Sequence, residues 1–251
     1  MILVTNHGAV RELRLNRPPV NALNLELMAS LRQAVEAAPH DGVRALVLSG
    51  APGRFSAGLD VPLLLGLDRA TIAALWRELY ALLKALASSP IPIVAAITGH
   101  APAGGTVLPL FCDWRVAAQG DFKLGLSEVQ VGITLPPIIL SALRRQVGPR
   151  QAERLAVMGL LISPQEALDI GLVDEVVTVE RVVGRALEWS EAVLALPAEA
   201  MTVTRWNARA DLVGLFDNIE RELAAVTEGW WNPQTQLALR AMVERLGKKA
   251  G

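Results

Sequence analysis

The sequence predicts an α/β fold that gives way to a helical C-terminal portion, and three features predict it. Val43 to Leu48 is a nearly continuous β-branched and apolar run, the pattern of a parallel strand covered on both faces. Strand-like and amphipathic stretches alternate around it, which favours βαβ units. From Val179 onward the strand signals fade and amphipathic helices dominate, broken most clearly at Pro197 and at Gly229 to Pro233. The boundaries drawn from this pattern are a core over residues 1–195 and a helical region over 196–251. There is no internal repeat of 20–50 residues and no low-complexity tract.

Ile2 to Thr5 and Val10 to Leu15 read as two short strands joined by a turn at His7-Gly8, and Asn16-Arg17-Pro18-Pro19 stops the second because proline brings no ladder donor. Asn24 is a good N-cap for an amphipathic helix through about Ala38, with Leu27, Leu31 and Val35 on one face. A loop of small residues, Ser49 to Asp60, follows the central strand. A helix is expected from about Thr71 to Ala87, then a strand entered through Pro90-Ile91-Pro92. Gly99 to Gly105 reads as a turn feeding a buried helix, and Trp114 to Ala117 and Phe122 to Leu124 as short strands. Pro136 to Val147 and Pro149 to Met158 read as successive helices. Ser163-Pro164-Gln165-Glu166 is a capping box with proline at the first helical position.

Composition narrows the function. A chain of 251 residues can bury a sizeable core, and a formal net charge of -1 gives no electrostatic reason to expect nucleic acid or a charged membrane as partner. The single Cys112 excludes an internal disulfide and, among apolar neighbours, reads as a buried structural thiol. The N-terminus lacks the features of a signal or transit peptide, and Lys84, Pro90 and Pro92 interrupt the most apolar long stretch. A soluble, cytoplasmic protein is the expectation.

The chemistry concentrates between Gly99 and Glu128. A glycine-rich turn running into a helix aims free backbone N–H groups at whatever lies over it, and the helix N-terminus adds partial positive charge. Glu128 follows in the apolar setting Leu124-Gly125-Leu126-Ser127-Glu128-Val129. Anion-stabilising amides beside one desolvated carboxylate are what proton transfer next to a carbonyl requires. A structural alternative is an ion pair of Glu128 with a nearby arginine such as Arg115.

Four segments together resemble the crotonase (enoyl-CoA hydratase/isomerase) superfamily across essentially the whole chain. They are Asn16-Arg17-Pro18…Asn21-Ala22-Leu23, Phe55-Ser56-Ala57-Gly58-Leu59-Asp60, the Gly99 to Asp113 turn and helix, and Ser163…Glu166-Ala167-Leu168…Gly171-Leu172-Val173-Asp174. The resemblance implies a spiral of ββα turns with a C-terminal helical oligomerisation region, a homotrimer or dimer of trimers, and an acyl-CoA thioester substrate. No cofactor is implied, since coenzyme A is part of the substrate, and no metal. It also implies an oxyanion hole formed by the backbone N–H groups of Leu59 and Gly104, where loss of one such donor costs about 3 kcal/mol.

Hydratases of this superfamily work with two glutamates. Here the position of the first is Val107 and that of the second is Glu128, and the hydratase element Pro-x-x-Gly-Gly is replaced by Leu135-Pro136-Pro137-Ile138-Ile139. Pro102-Ala103-Gly104-Gly105, Cys112-Asp113-Trp114-Arg115 and the Gly125 to Ile133 segment are closest to the mitochondrial-type Δ3,Δ2-enoyl-CoA isomerases, which use one glutamate. The expectation is an isomerase in which Glu128 shuttles a proton beside an apolar pocket containing Val107, Leu126 and Val129. Arg17, Ala57, Lys248 and Lys249 are the expected CoA contacts. The alternatives are another enolate reaction, such as hydration or C–C cleavage, and a non-catalytic acyl-CoA-binding relative. Asp60 reads as a cap rather than a second acid, and His100 as a turn residue. Pro109 implies that the helix after the turn is kinked or short. Trp206, Trp230 and Trp231 read as tail packing or interface anchors.

Overall fold

The computed structural model describes residues 1–250, with all side chains in that range except those of Leu246, Lys248, Lys249 and Ala250. Two parallel arrays of strands organise it. The larger sheet contains β1 (Ile2–His7), β2 (Val10–Leu15), β3 (Ala45–Ser49), β5 (Ile93–Ile97), β7 (Trp114–Ala118) and β9 (Glu175–Val177), in that spatial order. Only β1 and β2 pair antiparallel, with Val4 opposite Leu13; every other pair is parallel. The smaller sheet contains β4 (Gly53–Arg54), β6 (Gly99–Pro102) and β8 (Leu124–Gly125), all parallel. Each turn of the chain thus places one strand in the large sheet and the next in the small one before a helix returns it. This is the expected ββα spiral, with α1 (Leu25–Ala37), the short α2 (Val61–Leu64), α3 (Arg69–Ser88), α4 (Gly104–Leu110) and α5 (Pro137–Met158) as its helices.

The uninterrupted apolar run of β3 is explained by burial on both faces. Leu46 and Leu48 face the main core beneath α1 and α3, whereas Ala45 and Val47 join Val94, Ala96 and Val116 beneath α7 (Val182–Leu194). A parallel strand inside such a sandwich has no wet face to mark with polar residues. Helix starts follow side-chain caps: Asn24 Oδ1 accepts from the Leu27 N–H at 2.9 Å, and Asp68 Oδ1 from the Thr71 N–H at 2.7 Å. The Asp68 cap starts α3 two residues before the sequence estimate. The predicted capping box opens α6 (Pro164–Asp169), and α5 breaks at Gly148 (φ 76°), where two successive helices were expected.

The C-terminal region comprises α8 (Ala198–Ala208), α9 (Ala210–Gly214), α10 (Glu220–Trp230) and α11 (Pro233–Ala250). No strand follows β9 among the described residues. Helix α10 packs on α3, and α11 on the segment after β8, so these helices cover the chain's own core. Glu222 accepts from the Tyr80 hydroxyl at 2.7 Å and from the Ile138 N–H at 3.0 Å, tying α10 to both α3 and α5. Among the described residues no helix is long and apolar enough to cross a membrane.

One expectation is corrected here. Gly99 to Pro102 is a strand, β6, and the turn proper is confined to Ala103. Gly99 is glycine because a Cβ would lie 1.9 Å from the Gly53 carbonyl carbon of the neighbouring strand.

Candidate active site

Small-sheet pairing brings the glycine turn and the carboxylate segment side by side. Ala101 pairs with Leu124 and Pro102 with Gly125, and the Ala103 N–H donates to the Gly125 carbonyl at 2.7 Å. Thr106 reinforces the junction. Its hydroxyl donates to the Ala101 carbonyl and accepts from the Gly125 N–H at 2.8 Å. The sequence reading missed Thr106, although a polar residue within the apolar helix Gly104–Leu110 was a visible signal. Ala103 holds φ 50°, ψ -123°, a conformation that an L-residue adopts only under constraint, and its carbonyl accepts from the Thr106 and Val107 N–H groups. That leaves the Gly104 N–H at the head of α4 without a protein acceptor among the described hydrogen bonds. Helix α4 ends at Leu110 with Pro109 in its last turn, so the proline shortens the helix and leaves the turn that carries Gly104 intact.

The second loop is shaped by the Asn21 segment. Asn21 Nδ2 donates to the Phe55 carbonyl at 3.0 Å, Ser56 Oγ donates back to the Asn21 carbonyl at 2.8 Å, and the Gly58 N–H donates to Ser56 Oγ. Leu23 then bonds on both sides of Leu59: its N–H donates to the Gly58 carbonyl at 2.7 Å and its carbonyl accepts from the Asp60 N–H at 2.9 Å. Successive amides of an extended segment point to opposite sides. The Leu59 N–H is thereby turned away from Leu23 and has no acceptor within the described residues. Gly58 (φ 80°) and Gly104 meet where the two loops touch; a Cβ on Gly104 would come 3.1 Å from the Gly58 Cα.

These loops open on a cavity of about 520 Å³. Leu59, Gly104, Val107 and Glu128 all line it, together with Ala57, Ser127, Trp76, Leu79, Ile139 and, from α11, Met242. Glu128 begins a short 3₁₀ turn (Glu128–Val131) that Gly132 ends in the left-handed conformation. Although the residue as a whole is only partly buried, its Oε2 is fully enclosed and has no hydrogen-bond partner. Desolvation pushes the Glu128 carboxyl up to about 7. The alternative pairing with Arg115 does not form, because Arg115 bonds Asp174 at 2.9 Å and the Pro109 and Cys112 carbonyls.

The other wall carboxylate, Asp60, is occupied. It caps α2 through the Leu63 N–H at 3.2 Å and pairs with Arg17 Nη2 at 2.5 Å. Arg17 also donates to the Ala22 carbonyl and is not part of the cavity wall. Of the apolar pocket expected from sequence, Val107 reaches the cavity, whereas Leu126 and Val129 do not. Leu126 is buried in the core behind the site, and the 3₁₀ turn carries Val129 outward against Gly159, 39% exposed. The side chains of Lys248 and Lys249, the other expected CoA contacts, lie outside the described ones. His100 is exposed in β6, its Nδ1 accepting from the Lys123 N–H at 3.2 Å, and is not in the cavity wall. Cys112 is buried, its thiol pushed up to about 12 by desolvation, which leaves it unreactive. Among the described residues no cluster of three or more His, Cys, Asp or Glu side chains could hold a metal.

A family model described as enoyl-CoA hydratase/isomerase matches residues 5–226. The chain belongs to this family. It is 38% identical over 248 residues to the mitochondrial enoyl-CoA delta isomerase 1 of Homo sapiens, covering 97% of this chain and 82% of that protein. It is also 34% identical over 213 residues to a probable enoyl-CoA hydratase of Mycobacterium avium, covering 83% and 80%. The crystal structure of the human mitochondrial delta3-delta2-enoyl-CoA isomerase superposes with a TM-score of 0.95 at 34% identity, covering 100% of this chain and 99% of that one. The spiral of ββα turns is therefore the fold of this family, and relatives named for both isomerisation and hydration share it.

Proposed function

We propose that the protein is an enoyl-CoA isomerase that moves the double bond of a 3-enoyl-CoA to the trans-2 position with Glu128 as its sole acid/base. The observation that carries this reading is the state of the two wall carboxylates. Asp60 is consumed by Arg17 and its helix cap, while Glu128 presents a desolvated carboxyl beside two unpaired amides.

The thioester oxygen sits between the Leu59 and Gly104 N–H groups. Ionised Glu128 takes a proton from C2, and the negative charge that develops on the thioester oxygen is held by the two amides. The resulting dienolate is reprotonated at C4 by the same carboxyl group, which returns to its ionised form as the conjugated product forms. One group can serve both steps because a carboxyl titrating near neutrality gives and accepts protons with comparable ease. With Val107 where a second acid would hold a water, the wall offers no other carboxylate at that position to activate water for addition to the conjugated product. The isomerase named among the relatives supports this choice, as does the absence, among the described residues, of a second unpaired carboxylate in the wall.

The test is incubation with 3-hexenoyl-CoA while following conjugated enoyl-thioester absorbance. Wild type converts it and Glu128→Gln does not. Lack of product from both short and long 3-enoyl-CoAs would exclude isomerisation, and hydration of a 2-enoyl-CoA at a comparable rate would move the reading to a hydratase.

A further inference from the structure

The cavity beside Glu128 ends at Trp76, Ile133 and Pro136, and the same three residues form one wall of a second chamber of about 490 Å³. Thr134 and Pro137 also line that chamber, and the remaining lining comes from the tail, including Arg221, Glu222, Ala225, Val226 and Trp230 of α10. Trp76 is 3% exposed and meets Trp230 edge-on, with ring centroids 6.5 Å apart. The two chambers are thus back to back, with an indole in the partition.

The partition and its frame are held differently. Helix α10 is pinned by the Glu222 bonds to Tyr80 and to the Ile138 N–H, which fixes the outer wall. The indole nitrogen of Trp76 is buried with no hydrogen-bond partner, so only packing holds that ring. The end of the first cavity that Trp76 closes is lined by Leu79, Ile133, Pro136 and Ile139, a surface suited to hydrocarbon and to nothing charged.

We infer that Trp76 is the specificity-determining residue that sets the acyl-chain length accepted at this site. The inference rests on the acyl-CoA reading above and adds where the chain must stop. A chain that outgrows the first cavity meets the indole face, and removing the ring joins the two chambers into one longer site, in which Ala225, Val226 and Trp230 offer the chain apolar surface beside the polar Arg221 and Glu222. Each methylene that gains burial then adds to binding of the longer chain.

The experiment compares wild type, Trp76→Ala and the double variant Trp76→Ala/Ala225→Phe on 3-hexenoyl-CoA and 3-dodecenoyl-CoA. The long-to-short ratio of kcat/KM should rise about tenfold or more in Trp76→Ala. It should fall back in the double variant, because Ala225 lines only the second chamber and the added ring refills it. An unchanged ratio in folded Trp76→Ala overturns the inference, as does a raised ratio that Ala225→Phe leaves in place. If Trp76→Ala does not fold, Trp76→Phe decides with a smaller rise in the same ratio, and no rise overturns the inference. Titration with hexanoyl-CoA and dodecanoyl-CoA, which cannot isomerise, gives a separate reading. A length shift in their binding without any turnover would sink isomerisation and sustain the role of Trp76. Binding without a length shift, or no binding of either, would overturn the role.

Discussion

Gly104 and Gly58 stand so close that a Cβ added to Gly104 would lie 3.1 Å from the Gly58 Cα and 2.9 Å from Leu23 Cδ1. Two loops separated by some forty residues of sequence thereby meet at the wall of one cavity, which Leu59 and Gly104 both line. Leu23 is fully buried and cannot retreat. Gly104→Ala is expected to push the loops apart and lower kcat/KM by about 100-fold, the scale of losing one oxyanion donor. Steady-state kinetics alongside a thermal melt checks this: a large loss of rate should accompany a small change in Tm.

Glu128 predicts a pH dependence with a definite sign. In the proposed role of base it must be ionised, so kcat/KM should rise with pH and level off above about 7. A pH–rate profile with its acidic limb near 4.5 would contradict this.

The same shift has a stability consequence. Between about 4.5 and 7 the folded protein keeps a proton on Glu128 that the unfolded chain has lost, so this group's contribution to stability falls as pH rises through that window. Above it, Glu128→Gln should be more stable than wild type by on the order of 3 kcal/mol relative to the difference at pH 4.5. Denaturant melts of both proteins at pH 4.5 and pH 8 measure it.

Asp60 should prove dispensable for proton transfer. Asparagine is as good an N-cap as aspartate, and the partner Arg17 stays held by the Ala22 carbonyl. Asp60→Asn is expected to keep kcat within about threefold, because a part-exposed ion pair contributes about 1 kcal/mol or less. A loss of kcat like that of Glu128→Gln would make Asp60 a second acid/base.

Arg209 predicts a large structural effect remote from the chemistry. It is 7% exposed, donates to the Ala87, Phe111 and Cys112 carbonyls, and faces Asp113 at 3.2 Å. Burial lowers its affinity for its proton, and Asp113 opposes that. Arg209→Ala strands carbonyls in the last turn of α3 and just beyond the C-terminus of α4 and should cost about 3–5 kcal/mol in a denaturant melt.

The large sheet was legible because its strands carry a strong pattern. Val43 to Leu48 is apolar but for Arg44, and helices with Asn24 or Ser163 at their start declare their own caps. The small sheet was scarcely legible: only β8 was expected, over Phe122 to Leu124, and it forms at Leu124–Gly125. Gly53-Arg54, Gly99 to Pro102 and Leu124-Gly125 are two to four residues long and rich in glycine, with no alternation to read. Their strand conformation comes from pairing partners distant in sequence, so the local chain reads as a turn.

The site divides along the same line. Glu128 and Gly104, singled out by chemistry, and Leu59 and Val107, singled out by the family resemblance, all line one cavity. Val129 and Leu126 were misplaced because spacing along the chain does not reveal that a 3₁₀ turn rotates one outward and the core takes the other. Trp76, Leu79 and Met242 were missed because buried residues of an amphipathic helix look alike whether they face core or cavity.

Residue type and local order alone were enough to reach the family, the alternation of strands and helices, and Glu128 as the candidate carboxylate. Only the tertiary structure decided that the Asn21 segment turns the Leu59 amide outward, that Arg17 consumes Asp60, and that Trp76 divides two cavities. Each of these depends on where residues far apart along the chain meet, and that is fixed by packing and burial.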